Sequence, residues 1–310
     1  MKRIVVGVIT YNQEDLIGRA LDSVLCQKEW GLYRIVVSDD GSKDRTWEIL
    51  QKYQADYPGL VSIYRNETNL GIYRNVEKME SYLPEADLYT NLSGDDVYCE
   101  GYFEAVQKLV DKEKIDTDVP VGIYSDWKTI SPAGDEMIYH NDKVLSGRPL
   151  FSLKLRGLIY SRSVMVSSGV HKLYKPLILD KGLAMAEESY DIQQHCHSHK
   201  AFYIPQVTSV YYTEIGVSSV LGSLKESDYL TTQSIVKWKY IIDTYRLSFR
   251  DREHARYELS KARFYLHPTW LRLLALCLHY EMGKFPGLSP RRPEPFRYLR
   301  HYRRDYYKKI

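Results

Sequence analysis

The sequence predicts an α/β protein, a doubly wound, mainly parallel sheet flanked by helices, followed by a helical C-terminal segment. Three observations predict it. Short apolar runs of strand length alternate with helical periodicity through the first hundred residues. Those runs are apolar on both strand faces, as in a sheet covered on both sides. From Ser223 onward the period is that of amphipathic helices.

The strands are Ile4 to Ile9, Ile35 to Val37, Val61 to Tyr64 and Leu88 to Leu92. Between them Leu16, Ile17, Ala20, Leu21, Val24 and Leu25 recur at helical spacing, as do Ile72, Val76, Met79 and Leu83. A further helix is expected from Thr46 to Tyr53. From Val119 to Met137 the pattern becomes a hairpin with Ser131-Pro132-Ala133-Gly134 as its turn, which ends the parallel half. Residues 138–222 are mixed and loop-rich. Beyond them Ile235, Trp238, Ile241, Ile242, Tyr245 and Leu247 mark an amphipathic face, and Pro286 to Pro295 is the expected linker. The chain thus divides into 1–105, 106–222 and 223–310.

A chain of 310 residues, 44% apolar and 27% charged, buries a full core. Its longest C-terminal apolar stretch, Leu271 to Leu278, contains Arg272 and is far shorter than the ~20 residues of a membrane span. Ile4 to Ile9 is too short for a signal sequence, so a cytoplasmic protein is expected. Cys26, Cys99, Cys196 and Cys277 form no CxxC pair, which argues against a disulfide framework or a cysteine zinc site. Residues 291–310 hold eight basic residues against two acidic ones, a net +6 that leaves the first 290 residues at −3. With Phe296, Tyr298, Tyr302, Tyr306 and Tyr307 interleaved, this tail suits anionic lipid headgroups, or else packs its rings on the body as a solvated helix. No nucleic-acid partner is expected, because the rest of the chain is slightly acidic and holds no recognisable binding module.

In such sheets ligands lie beyond the carboxyl ends of the strands. After the first strand comes Thr10-Tyr11-Asn12, where Asn12 is placed to cap the next helix and Tyr11 offers a flat face. After the second comes Asp39-Asp40-Gly41-Ser42. Asp40 there either accepts a hydrogen bond from a base imide or ribose hydroxyl, or caps the Thr46 helix. After the fourth comes Ser93-Gly94-Asp95-Asp96. Adjacent carboxylates in a cleft call for a cation, and hard oxygen ligands suit Mg²⁺ or Mn²⁺, which keep positions for water and phosphate; the bland reading is an acidic surface turn. His195 and His199 share a helix face at a zinc-chelating spacing, with His197 between them, but the HExxH glutamate is missing.

Taken in order, TYN, DDGSKDRT, NLGIYRN and NLSGDDVY resemble the family 2 glycosyltransferases of the GT-A fold, over residues 1 to about 105. The resemblance implies that Thr10, Tyr11 and Asp40 hold the nucleoside. It makes Asp95 and Asp96 the DXD-type element, with Asp96 on Mn²⁺ or Mg²⁺. Arg74 falls where the family places a donor-contacting arginine, or is a helix-surface residue. Ala186 to Asp191 resembles the family's Glu-Asp element, which makes Glu188 the general base in place of the usual aspartate and Glu187 the alternative; an acidic helix start is the structural reading of the pair. Val210 to Ser218 stands where the family has Tyr-Arg-x-His, and here Arg and His are both missing. Gly157 to Met165 looks like the acceptor-side strand.

The implied activity is inverting transfer of a hexosyl or N-acetylhexosaminyl group from a nucleotide-sugar donor, expected to be a UDP-sugar. The acceptor is a hydroxyl of a carbohydrate or lipid-linked saccharide, in surface polysaccharide or glycolipid synthesis. The basic tail then makes peripheral contact at the inner face of the membrane, and a homo-oligomer is compatible. Residues 1–105 become the donor half and 106–222 the acceptor half of one catalytic domain. Two rivals stand beside this. A nucleotidyltransferase lacks its glycine-rich loop here, and a non-catalytic nucleotide-sugar or glycan binder of the same fold is the other reading.

Overall fold

The computed structural model describes residues 1–155, 158–160, 164–173, 200–213, 224–267 and 269–282. They fall in two compact units, Met1–Leu221 and Gly222–Ile310. The first unit opens with β1 (Ile4–Thr10), α1 (Ile17–Leu25), β2 (Leu32–Asp39), α2 (Thr46–Asp56), β3 (Val61–Arg65), α3 (Ile72–Ser81) and β4 (Leu88–Ser93). There follow β5 (Val97–Tyr98), α4 (Tyr102–Glu113), β6 (Val121–Ile130), β7 (Glu136–Tyr139), α5 (Leu150–Leu155), β8 (Val164–Ser167), α6 (Ser168–His171) and β9 (Lys200–Tyr212).

These strands form one mixed sheet in the order β3-β2-β1-β4-β8-β6-β9-β5, with β7 on β6. β1, β2, β3 and β4 pair in parallel, as the both-face apolar runs require. On one face Val6, Val8, Ile35, Val37, Leu88 and Leu92 pack with Ile17, Leu21 and Val24 of α1 and with Phe103 and Val106 of α4. On the other, Val5, Tyr89, Tyr124, Val164 and Val166 pack with Leu150 and Leu153 of α5. The chain runs outward through β2 and β3, then returns to place β4 on the far side of β1. That reversal puts a switch point at the carboxyl ends of β1 and β4, where a crevice forms in sheets of this kind.

Two expectations change. The hairpin of β6 and β7 is present, antiparallel from Trp127↔Tyr139 to Ile130↔Glu136. The parallel half, however, does not end there: β6 pairs with β9 in parallel over its whole length, while β8 lies antiparallel between β4 and β6. A strand partner that arrives some 80 residues later leaves no mark in a local window. Asn12 does not cap α1, because it takes a left-handed backbone (φ 50°) and its side chain accepts from Lys43 N at 2.8 Å. The β1 loop is tied to the β2 loop instead.

The second unit contains α7 (Leu224–Thr244), α8 (Phe249–Leu266) and α9 (Trp270–Met282). Trp238, Ile241 and Leu247 of the predicted face are buried, and Ser248 caps α8 by accepting from Asp251 N. Among the described residues no helix is long and apolar enough to cross a membrane. Cys26, Cys99 and Cys277 are free thiols.

Candidate functional site

The last two residues of β1 hold the loops on either side of it. Asp40 N donates to Thr10 O at 2.9 Å, and Gly94 N donates to Ile9 O at 2.9 Å. The β2 loop and the acidic turn after β4 therefore meet across the end of one central strand. Thr10 is buried and donates to Gln13 Oε1 at 2.7 Å, while Tyr11 beside it is half-buried.

Asp40 is only 2% exposed. Its Oδ1 accepts from Asn66 Nδ2 at 2.8 Å and Leu70 N at 2.9 Å, and its Oδ2 from Gly71 N at 2.9 Å. A carboxylate offers about four acceptor positions, so three donors leave room for one more. Behind it Asn75 links Asn66 to Ser38, with bonds of 3.0 and 2.6 Å. Gly41 makes this closeness possible. Its φ is +72°, and an added Cβ would come within 3.0 Å of the Thr68 backbone. Asp40 thus does not cap α2; Asp44 accepts from Thr46 N at 3.0 Å in that place. The neighbouring Asp39 is fully buried, bonded to Ser42 and paired with Arg65 Nε at 3.2 Å. Burial pushes its carboxyl above the ordinary range, against the pull of Ser42 and Arg65. Arg74 lies exposed in the first turn of α3, directly after the loop that Asp40 holds.

Asp95 and Asp96 follow β4 at 7% and 8% exposure. Their turn is set by Asp96 N donating to Ser93 O at 3.0 Å, and by Arg19 of α1 donating through Nη2 to Asp95 O at 2.9 Å. The same guanidinium lies over the Tyr212 ring, 3.8 Å from its centroid. Downstream of the turn, β5 pairs antiparallel with β9 at Val97↔Val210. A position 94 side chain would run into Gln13, Thr10 Oγ1 and Ile17, so glycine lets the turn sit against the β1 loop. Adjacent hard-oxygen side chains at a crevice fit Mg²⁺ or Mn²⁺. Among the described residues no cluster of three His, Cys, Asp or Glu side chains could hold a metal.

Sequence reasoning missed a second polar group on β6. Asp126 is 5% exposed and accepts from Tyr203 OH at 2.7 Å and Asn141 N at 3.0 Å, with His140 Nδ1 also at 2.7 Å. Burial first, and then the bond to Asp126, push the Tyr203 phenol up. Close by, Trp127 stacks on Tyr139 at 4.2 Å, with Tyr160 and Tyr211 edge-on to Trp127. Arg19, Asn66 and Asn75 were missed too. Asn75 closes the quoted NLGIYRN stretch, and its polar side chain on the buried face of α3 was the available signal.

Of the predicted residues, Thr10, Tyr11, Asp40, Asp95 and Asp96 gather at these strand ends, with Arg74 on the adjoining helix. Glu187, Glu188, the 195–199 histidines, the linker and the basic tail lie outside the described residues, as does the stretch from Glu214 to Ser218.

Among the described residues nine strands form one mixed sheet with an acidic turn at its switch point, the architecture of a doubly wound α/β protein. Residues 5–177 match the family described as Glycosyl transferase family 2, and the chain belongs to it. Among solved structures it is similar to S. aureus TarS in complex with UDP-GlcNAc (TM-score 0.59, 16% identity, 90% of this chain and 79% of that one). It is also similar to a mannosyltransferase from Pyrobaculum calidifontis in complex with GDP-Man and Mn²⁺ (TM-score 0.56, 14% identity, 93% and 77%). At these identities the likeness is one of fold. Among curated relatives, the "Uncharacterized glycosyltransferase MG060 homolog" of Mycoplasma pneumoniae is 35% identical over 136 residues, 41% of this chain and 43% of its own length. The chain spans 21% to 43% of the length of the curated relatives it matches.

Proposed function

We propose that this glycosyltransferase moves a hexosyl or N-acetylhexosaminyl group from a nucleoside diphosphate sugar, a UDP-sugar by preference, to an acceptor hydroxyl with inversion. The observation that carries the proposal is the convergence of Asp40 and the Asp95–Asp96 pair on the end of β1. Thr10, Tyr11 and Asp40 hold the nucleoside, Tyr11 with its flat face and Asp40 with its remaining acceptor position. Arg74 and Asp95 contact the donor. Asp96 holds Mn²⁺ or Mg²⁺, which when bound neutralises charge on the departing diphosphate. The UDP-GlcNAc and GDP-Man complexes of similarly folded proteins, one of them with Mn²⁺, support a nucleotide-sugar donor and a divalent cation.

Residues 1–105 form the donor half. In the acceptor half, 106–222, Glu188, or Glu187, takes the proton of the acceptor hydroxyl as its oxygen attacks the anomeric carbon. The bond from that carbon to the diphosphate breaks with its electron pair on the leaving oxygen. One displacement inverts the centre. The half-buried rings of Tyr139, Tyr160 and Tyr211, packed around buried Trp127, offer apolar surface for a saccharide acceptor, free or lipid-linked, in surface polysaccharide or glycolipid synthesis. The basic segment 291–310 makes peripheral membrane contact.

Calorimetric titration of UDP, with Mn²⁺ and with EDTA, tests the site. Wild type binds more tightly with Mn²⁺, by about tenfold or more, and Asp96→Asn loses that gain. Affinity insensitive to both EDTA and the substitution contradicts the assignment.

A further inference from the structure

Helix α9 is apolar on two sides, and among the described residues only one of them is covered. On the inner side Leu276 is fully buried with Tyr257 and Phe264 of α8. Arg272 Nη1 donates to His267 O at 2.8 Å and Arg263 O at 3.1 Å, and His279 Nδ1 lies 3.0 Å from Glu253 Oε2. These contacts dock α9 on α8. On the other side Leu271, Leu274 and Leu278 are 79%, 64% and 57% exposed. Spaced i, i+3 and i+7, they fall within about 60° of one another around the helix axis. Arg272 points to the inner contacts instead, and a stripe of three exposed leucines marks a surface that meets an apolar partner.

What covers it is indicated by charge. The segment that begins nine residues beyond Met282, 291–310, carries +6 and five aromatic rings. Nine residues reach at most about 30 Å, so this segment and the stripe can act on one surface. A second copy would bring a second +6 segment against the first. An anionic surface attracts both. A helix of 13 residues, ~20 Å long, is too short to span a bilayer but suited to lie in its interface with one face immersed.

We propose that α9 is an interfacial helix that inserts Leu271, Leu274 and Leu278 into an anionic lipid bilayer. The proposal stands apart from the transferase reading, since binding needs neither donor nor acceptor. It is tested by co-sedimentation of the full chain with vesicles of phosphatidylglycerol and phosphatidylcholine, and of phosphatidylcholine alone. The wild type is expected to bind the anionic vesicles and to weaken with salt. The Leu271→Ser/Leu274→Ser/Leu278→Ser variant is expected to lose roughly tenfold in affinity for each leucine immersed, with unchanged circular dichroism because the inner contacts remain. Arg303→Glu/Arg304→Glu, outside the helix, is expected to weaken anionic binding alone. The idea fails if wild type does not bind anionic vesicles at low salt, or if the triple variant binds as wild type does. It also fails if light scattering shows a dimer, abolished by the triple variant, in a protein that ignores vesicles.

Discussion

Replacing Asp40 tests how the loop of residues 66–71 is held. Its carboxylate accepts from Asn66 Nδ2, Leu70 N and Gly71 N, all within 2.9 Å. Hydrogen bonds to a charged acceptor contribute about 1.5–3 kcal/mol each. Removing all three in Asp40→Ala forfeits roughly 5–9 kcal/mol, against which the variant avoids the cost of several kcal/mol of burying a charge. A net loss of about 2–4 kcal/mol results. Asp40→Asn is milder. Its one oxygen can still serve Asn66 and Leu70, and Gly71 N keeps Asn69 Oδ1 at 3.0 Å, so the loss is about 1–2 kcal/mol from missing charge and an amide facing an N–H. Urea unfolding followed by circular dichroism measures both. The order of stability is wild type, Asn, Ala. An asparagine variant within about 0.5 kcal/mol of wild type, with the alanine variant no worse, would refute the claim that this carboxylate organises residues 66–71.

Two more predictions concern the neighbouring loops. Gly94→Ala pushes a methyl group at Gln13, Thr10 and Ile17, so it should cost about 1–3 kcal/mol in unfolding experiments and weaken Mn²⁺-dependent UDP binding more than metal-free binding. At the start of α2, burial pushes Asp44 up, but hydrogen bonds from Thr46 and the Glu14 backbone outweigh it and hold the carboxyl below its ordinary 3.8. A depressed folded value means stability that is present above the unfolded value and lost as pH falls through the folded one. The stability advantage of wild type over Asp44→Asn should therefore be constant near neutral pH and shrink below about pH 4; an advantage that grows on acidification would contradict the direction.

The alternating half of the fold was legible because β1 and β2 are apolar on both faces and α1 carries a clean apolar stripe. Val6, Val8, Ile17, Ala20, Leu21, Val24 and Leu25 are all in the core. The second half was less so. β6 finds its parallel partner in β9 only after a long excursion, and β8 slips between β4 and β6, which no local period encodes. Among site residues, acids at strand ends stood out because charge there is costly without a ligand. Arg19, Asn66 and Asn75 did not, since each acts through a partner distant in sequence. The Asp126–His140 contact spans 14 residues across a hairpin and carries no motif. By type Asn12 reads as a cap on α1, and a cap on α2 is the alternative to ligand contact for Asp40; in the fold, Asn12 accepts from Lys43 N and Asp40 from the 66–71 loop.

The central claim, that this chain is a metal-assisted transferase, is tested most directly by release of nucleoside diphosphate from a panel of UDP-, GDP- and dTDP-sugars, with Mn²⁺ or EDTA. The account predicts release from one donor class, abolished by EDTA and by Asp96→Asn and strongly reduced by Glu188→Gln at unchanged UDP affinity. Tight UDP binding with no release from any donor, even with saccharide and lipid-linked acceptors supplied, would contradict it and leave a nucleotide-sugar binding protein on the same fold.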